Sequence, residues 1–230
     1  MPAFNKILDT FLFENGEIHL KEFHIDRVFE TYSFLKTKVT RADIAIIYDV
    51  ITKQLQSENG SQSLQNPSRP QSELIRVMFD PVRPHKHTVE VKELDSLHVP
   101  VRLVISETAT AASETSQFKF ADRKDWDLLL KSKPFDSDDV LLARDGHLIE
   151  TSRFNLFLHV ERENLVMTPT LNSGCLNGVL RRSLLQKGRV ALPGHNEVKI
   201  IERDFTIETA ATNILYVGNS VRGLLPSEIL

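Results

Sequence analysis

Lys119 stands between two aromatics in Gln117-Phe118-Lys119-Phe120-Ala121-Asp122-Arg123, and Glu150 follows in Leu148-Ile149-Glu150-Thr151-Ser152. A glycine-led helix start, Asn177-Gly178-Val179-Leu180-Arg181-Arg182, comes next. A lysine amine attacks carbonyls when neutral, a state favoured by burial beside Phe118 and Phe120 and by a nearby cation such as Arg123. A carboxylate can keep a ring nitrogen protonated, and the N–H groups of Val179 and Leu180 at a helix start suit a phosphate, with Gly178 permitting close approach. Together the three suit a phosphorylated aldehyde cofactor with a basic ring. Each has a plainer alternative. Phe-Lys-Phe can be strand alternation with the lysine in water, Glu150 can pair with Arg153, and Gly178 can simply open a helix. Lys124 and Lys131 are competing amines, but on a charged amphipathic stretch.

Other residues could complete such a site. Arg27 offers a fork of donors to a phosphate, or is a surface helix arginine. Asn219-Ser220 could add side-chain donors, or form a turn. Arg123 would lie one helical turn beyond Lys119 if a helix begins there, with an ion pair to Asp122 or Asp127 as the equal alternative. Arg76 and Arg83 are candidates for holding a substrate carboxylate, or are surface cations. His85 and His87 alternate as strand residues, but no acidic or cysteine partner accompanies them, so no metal is assigned.

Composition bounds what these residues serve. At 230 residues, 41% hydrophobic and 26% charged, the chain can bury one large or two small cores. A net charge of -3 with scattered basic residues gives no reason to expect nucleic acid or an anionic membrane as partner, which leaves small molecules. The lone Cys175 excludes an intramolecular disulfide, and the start Met1-Pro2-Ala3-Phe4 lacks a signal peptide's apolar core, so a cytoplasmic protein is expected.

The elements that must position the candidates follow from periodicity. Residues 7–13 and 18–20 predict a hairpin across the Asn15-Gly16 turn. A helix from His24 places Ile25, Val28, Phe29 and Tyr32 inward, and a second opens at Thr40 with Asp43 in the capping-box position and Ile44, Ile47, Ile51 and Leu55 on one face. Residues 58–71 are polar and predict a mobile surface insertion without chemistry. Strands at 74–80 and 88–91 close a small α+β lobe. Beyond them come a strand at 101–106, a linker at 107–116 and a helix at 122–131 with Trp126, Leu129 and Leu130 inward. A meander is expected from 140–143, 147–151, 154–160 and 165–168. A helix at 179–186 ending at Gly188 and strands at 198–201 and 214–217 follow. The expected division is a lobe of 1–106, a linker of 107–116 and a larger lobe of 117–230.

In order along the chain stand Leu8-Asp9-Thr10, His24-Ile25-Asp26-Arg27, Lys119 with Arg123, Glu150 with Asn155-Leu156-Phe157, Gly178-Val179-Leu180-Arg181, and Asn219-Ser220. This series resembles the class IV aminotransferases, the fold type IV pyridoxal-phosphate enzymes that include branched-chain and D-amino-acid aminotransferases and aminodeoxychorismate lyase. The resemblance implies a two-lobed α+β homodimer that binds pyridoxal 5'-phosphate covalently through Lys119. It implies Glu150 at the pyridine nitrogen, Arg123 near the phenolic oxygen, and Arg27, Gly178, Val179, Leu180, Asn219 and Ser220 around the phosphate. The implied substrate is an amino acid or amino-bearing carboxylate. The implied reaction is transamination, with β-elimination releasing pyruvate as the alternative. A catalytically silent binding protein of the same fold is a third reading. The chain begins close to Leu8-Asp9-Thr10, where full-length members carry a preceding segment, and so is similar to a short-form subgroup whose reaction the resemblance does not fix.

Overall fold

The computed structural model describes residues 6–63, 72–94, 96–108, 112–193 and 196–230, with the side chains of 59–63 left aside. It divides into two compact units: Met1–Asp95 with Lys119–Asp122, and Ser96–Phe118 with Arg123–Leu230.

The first unit is an antiparallel sheet under two helices. Strands β1 (Ile7–Glu14) and β2 (Glu17–Ile18) form the expected hairpin, because Asn15 and Gly16 accept the left-handed backbone (φ 53° and 80°) that a tight two-residue turn demands. Helices α1 (Lys21–Phe34) and α2 (Arg41–Ser63) follow, then β3 (Ser72–Phe79) and β4 (His87–Lys92), giving the sheet order β2-β1-β3-β4. The capping box is formed reciprocally: the Thr40 N–H donates to Asp43 Oδ2 at 2.9 Å and the Asp43 N–H to Thr40 Oγ1 at 3.2 Å. Ile25, Val28, Tyr32, Ile44, Ile51 and Leu55 pack on Phe11, Phe13, Ile75, Val77 and Phe79. Each such side chain contributes about 1.5–3 kcal/mol by leaving water. Part of the polar stretch expected as an insertion is helical, since α2 runs on to Ser63. Glu58 and Gln62 are good helix formers, and the turn continues a helix already nucleated by the buried stripe. Residues 64–71 of that expectation lie outside the described residues.

Residues 119–121 add to the free edge of β1. The Leu8 N–H donates to the Lys119 carbonyl at 2.9 Å and the Ala121 N–H to the Lys6 carbonyl at 3.0 Å, with Ile7 facing Phe120 between them. β2 pairs only the far end of β1, so this end has an edge to offer.

The second unit contains β5 (Val101–Glu107), α3 (Lys124–Ser132), β6 (Asp139–Arg144), β7 (His147–Thr151), β8 (Asn155–Val160) and β9 (Leu165–Thr168). It continues through α4 (Val179–Lys187), β10 (Arg189–Ala191), β11 (Glu197–Glu202), α5 (Ile207–Ala211), β12 (Ile214–Asn219) and β13 (Gly223–Ile229). Its nine strands run β10-β11-β9-β8-β12-β13-β5-β6-β7. The expected single meander is therefore two separate hairpins, β6-β7 and β8-β9, with β12, β13 and β5 between them in the sheet. The chain changes place at residues 151–154, where the Thr151 N–H donates to the Phe154 carbonyl at 2.9 Å and the β strand restarts only at Asn155. Asp139, fully buried on β6, holds that corner by accepting from Thr151 Oγ1 at 2.9 Å and Ser152 Oγ at 2.5 Å. Helix α3 carries Trp126, Leu129 and Leu130 on its half-buried side and leaves Leu128 exposed.

Candidate active site

Within the second unit, the acid and the helix start are tied to each other. Glu150, half-buried near the end of β7, accepts the Leu176 N–H at Oε2 over 2.9 Å. The Leu176 carbonyl accepts from Asn155 Nδ2 at 2.8 Å and from the Gly178 N–H at 2.9 Å. Two residues after Leu176, Gly178 is the N-cap of α4, and no side chain caps the helix. Among the described residues, the N–H groups of the first turn are thus presented without a capping side chain, at the positive end of the helix dipole. Gly178 sits at φ −67°, open to any residue, so its glycine answers to space rather than backbone freedom. A Cβ there would fall inside the radius of Asn155 Oδ1 and 3.1 Å from Asn155 Cγ.

The loop before α4 is anchored from behind. Arg181, 1% exposed, donates to the Pro169 carbonyl at 2.7 Å and pairs with the Glu202 carboxylate. Cys175 is buried against the Pro169 and Thr170 carbonyls, and burial pushes its thiol up to about 11, which makes it a packing group rather than a nucleophile. Arg123 precedes α3 and donates to the Ser152 carbonyl, two residues beyond Glu150, while its guanidinium lies 5.9 Å from the Trp126 ring. The helix starts at Lys124 and residue 120 is in a β-bridge, so the helical spacing from Lys119 to Arg123 is not formed. Arg153 lies 3.4 Å from Asp139 rather than forming the anticipated pair with Glu150. Asn219 builds the turn after β12: Oδ1 accepts from the Val221 and Arg222 N–H groups at 3.0 and 2.9 Å, and Nδ2 donates to the Arg153 carbonyl at 3.1 Å. Ser220 beside it is buried.

In the first unit, Phe120 packs into the core under the helices. By alternation Lys119, paired across from Leu8, emerges on the opposite face, half-buried. Arg76 stands opposite Thr10 on β3, exposed, on that same face. Arg83 lies in the turn before β4 and faces Asp80 at 3.6 Å, as a surface pair.

Arg27 has a buried partner on β1. Asp9, on the inward side of β1, is 0% exposed and receives Arg27, the Tyr48 hydroxyl and His24 Nδ1, the last at 2.9 Å. Burial drives the Asp9 carboxyl up, but His24, Arg27 and the Tyr48 hydrogen bond together hold it well below the usual range. Burial also lowers His24, so this ring is neutral near pH 7 and contributes a hydrogen bond, leaving Arg27 as the cation. Tyr48 is pushed well above its ordinary value by burial and by Asp9. Arg27 Nε and His24 Nε2 are buried without a partner among the described residues. The signal was available: Ile7, Asp9, Phe11 and Phe13 alternate as one inward face, and His24, Arg27 and Val28 share one helical face, so an acid and its two partners are all directed into the core.

The family model described as amino-transferase class IV matches residues 6–228. Among solved structures, a protein from Mesorhizobium loti assigned as an amino-acid aminotransferase is similar with a TM-score of 0.73 at 21% identity, over 98% of this chain and 99% of that one. A hypothetical aminotransferase from Mycobacterium tuberculosis, in its PLP-bound form, gives 0.76 at 13% identity over 99% and 82%. The 4-amino-4-deoxychorismate lyase from Pseudomonas aeruginosa gives 0.71 at 17% identity over 99% and 84%. Identities this low carry the fold. No curated protein matches the sequence at a significant level.

Proposed function

The chain belongs to the class IV aminotransferase family, and from that premise we propose that it is a pyridoxal-phosphate-dependent aminotransferase with Lys119 as its reactive amine. The observation that carries the reading is the tie through Leu176, which fixes a carboxylate and an uncapped helix start relative to one another. A ring nitrogen and a phosphate on one rigid molecule need such a fixed pair.

The residues present fit the cofactor. Val179 and Leu180 N–H groups at the start of α4 would donate to its phosphate. Arg27 is the side-chain cation proposed for that phosphate; its ion pair with Asp9 engages one terminal nitrogen of the guanidinium. Gly178 gives the loop its close fit on Asn155, and Ser220 is the hydroxyl proposed beside the phosphate, with Asn219 shaping its turn. Glu150 would keep a proton on the pyridine nitrogen, and Arg123, oriented by the Ser152 carbonyl, would serve the phenolic oxygen.

When bound, pyridoxal phosphate supplies an aldehyde that captures amines and a ring that withdraws electrons from a breaking Cα–H bond. Lys119 Nζ would take the proton from the substrate Cα as general base and return it, as general acid, to the cofactor carbon that had carried the aldehyde. Arg76, sharing the face of the sheet from which Lys119 emerges, would receive the substrate carboxylate; Arg83, engaged with Asp80, is the weaker candidate. A homodimer in the cytoplasm completes the reading, checked by sedimentation and by cell fractionation; no described helix is long and apolar enough to cross a membrane.

The test is a visible spectrum of the protein with pyridoxal phosphate, repeated after adding L- and D-amino acids, followed by hydride trapping and peptide mapping. The expected results are a shifted band and a tag on Lys119. An untagged Lys119 would overturn the assignment. Pyruvate released without any amino acceptor would assign lyase chemistry instead, and a band that no amino acid discharges would leave a silent binding protein.

A further inference from the structure

Asn155 meets the Glu150–helix tie at two points, Leu176 and Gly178. Its Nδ2 donates to the Leu176 carbonyl at 2.8 Å, while the N–H of that same residue donates to Glu150 Oε2 at 2.9 Å. Its Oδ1 occupies the space that a Cβ on Gly178 would need. Asn155 is 5% exposed and opens β8, a strand buried along its whole length, so its own position is set by the sheet. Leu176 belongs to no helix or strand, and these hydrogen bonds are what hold its peptide.

We propose that Asn155 is a positioning residue: through the Leu176 peptide it aligns the Glu150 carboxylate and, through Gly178, the anion-binding start of α4. This rests on the reading of Glu150 as the ring-nitrogen partner and of the α4 start as the phosphate seat. A side chain that fixes the supports of two binding groups governs how well they act in concert, though it touches neither cofactor nor substrate. Releasing the Leu176 carbonyl lets the loop drift, so the carboxylate loses an aligned donor and the helix start loses its packing against the strand. Both ends of the cofactor then bind less well, and the phosphate end can be read separately.

The experiment compares wild type with Asn155→Leu, which keeps the branched outline of the side chain but has no donor, and with Glu150→Gln and Lys119→Ala. The readouts are the pH titration of the visible band of lysine-bound cofactor, and the ratio of affinities for pyridoxal phosphate and pyridoxal. Thermal unfolding of the cofactor-free proteins confirms folding. Asn155→Leu is expected to move the titration in the same direction as Glu150→Gln, and to reduce the preference for the phosphorylated form by about tenfold, the worth of one hydrogen bond. If Glu150→Gln moves the titration while Asn155→Leu leaves both readouts at wild-type values, the proposal is overturned and the function stands. If Glu150→Gln changes nothing, the role of Glu150 fails and the proposal with it. Should Asn155→Leu not fold, Asn155→Ser, smaller and polar, is measured instead and the same shifts are required of it.

Discussion

Gly178→Ala tests the packing of the candidate site without touching any titratable group. The added Cβ would fall inside Asn155 Oδ1 and 3.1 Å from its Cγ, so the amide must leave its place. Asn155 is 5% exposed and its Nδ2 is bonded to the Leu176 carbonyl, so leaving breaks that bond and crowds the start of β8. The lost hydrogen bond costs about 1 kcal/mol and the overpacking about 1–3 more, for a total of about 2–4 kcal/mol. With Asn155→Ala already in place nothing is left to collide, and only the poorer capping of alanine relative to glycine remains, about 1 kcal/mol. The capping cost is common to both backgrounds and cancels, so the double-mutant cycle should show a coupling of about 2–4 kcal/mol in favour of the pair. Urea unfolding followed by far-UV circular dichroism and by the single tryptophan, Trp126, which lies in the same unit, provides the four free energies. Equal costs for Gly178→Ala in both backgrounds would refute the reasoning, because the glycine would then answer to something other than Asn155.

Asp9→Asn should cost about 3–5 kcal/mol in denaturant unfolding, because it strands the Arg27 cation in a site where the acid is 0% exposed; a loss under about 1 kcal/mol would show Arg27 to be solvated. Arg181→Met should cost less, about 1–3 kcal/mol, since Glu202 is 45% exposed on its side chain and returns to water, while the Pro169 carbonyl and, at 3.5 Å, Asn177 Oδ1 lose a donor. A pH series supplies the fourth test. His24 has its folded-state value lowered by burial, so in the window below about 6.5 the unfolded chain binds the proton that the folded one refuses, and stability falls as pH falls through that window. His24→Gln should lessen the slope there, and an unchanged slope would mean that His24 is protonated in the folded protein. Asp9 acts lower: its depressed carboxyl contributes stability that is complete above about 4 and declines only in stronger acid.

The parts of this molecule that were legible are those whose causes are local. Asn15-Gly16 announces a hairpin because two successive left-handed residues suit little else, and Thr40 with Asp43 announces a helix because the two side chains satisfy each other's N–H groups. The parts that were not legible depend on neighbours far along the chain. β13 contains Pro226 and half-exposed residues that argue against a strand, yet it lies between β12 and β5, pairing Tyr216 with Pro226 on one side and Ser227 with Val101 on the other. The exit of β7 looks like a hairpin from spacing alone, whereas Asp139, accepting from Thr151 and Ser152 across 12 and 13 residues, helps hold the corner that sends the chain elsewhere. The candidate site divides the same way. Residue types marked Lys119, Glu150 and Gly178, because an amine, an acid and a helix start each carry their chemistry in their identity. What aligns Glu150 with Gly178 is Leu176 acting through its backbone, and a backbone N–H has no letter in a sequence. Asn155 could be read as part of a motif but not as a support, since its work appears only when a strand and a loop 21 residues apart are brought into contact. Chemistry here is written in side chains, whereas alignment is written in peptide groups, and so the more sharply a site depends on alignment, the less of it a sequence reveals.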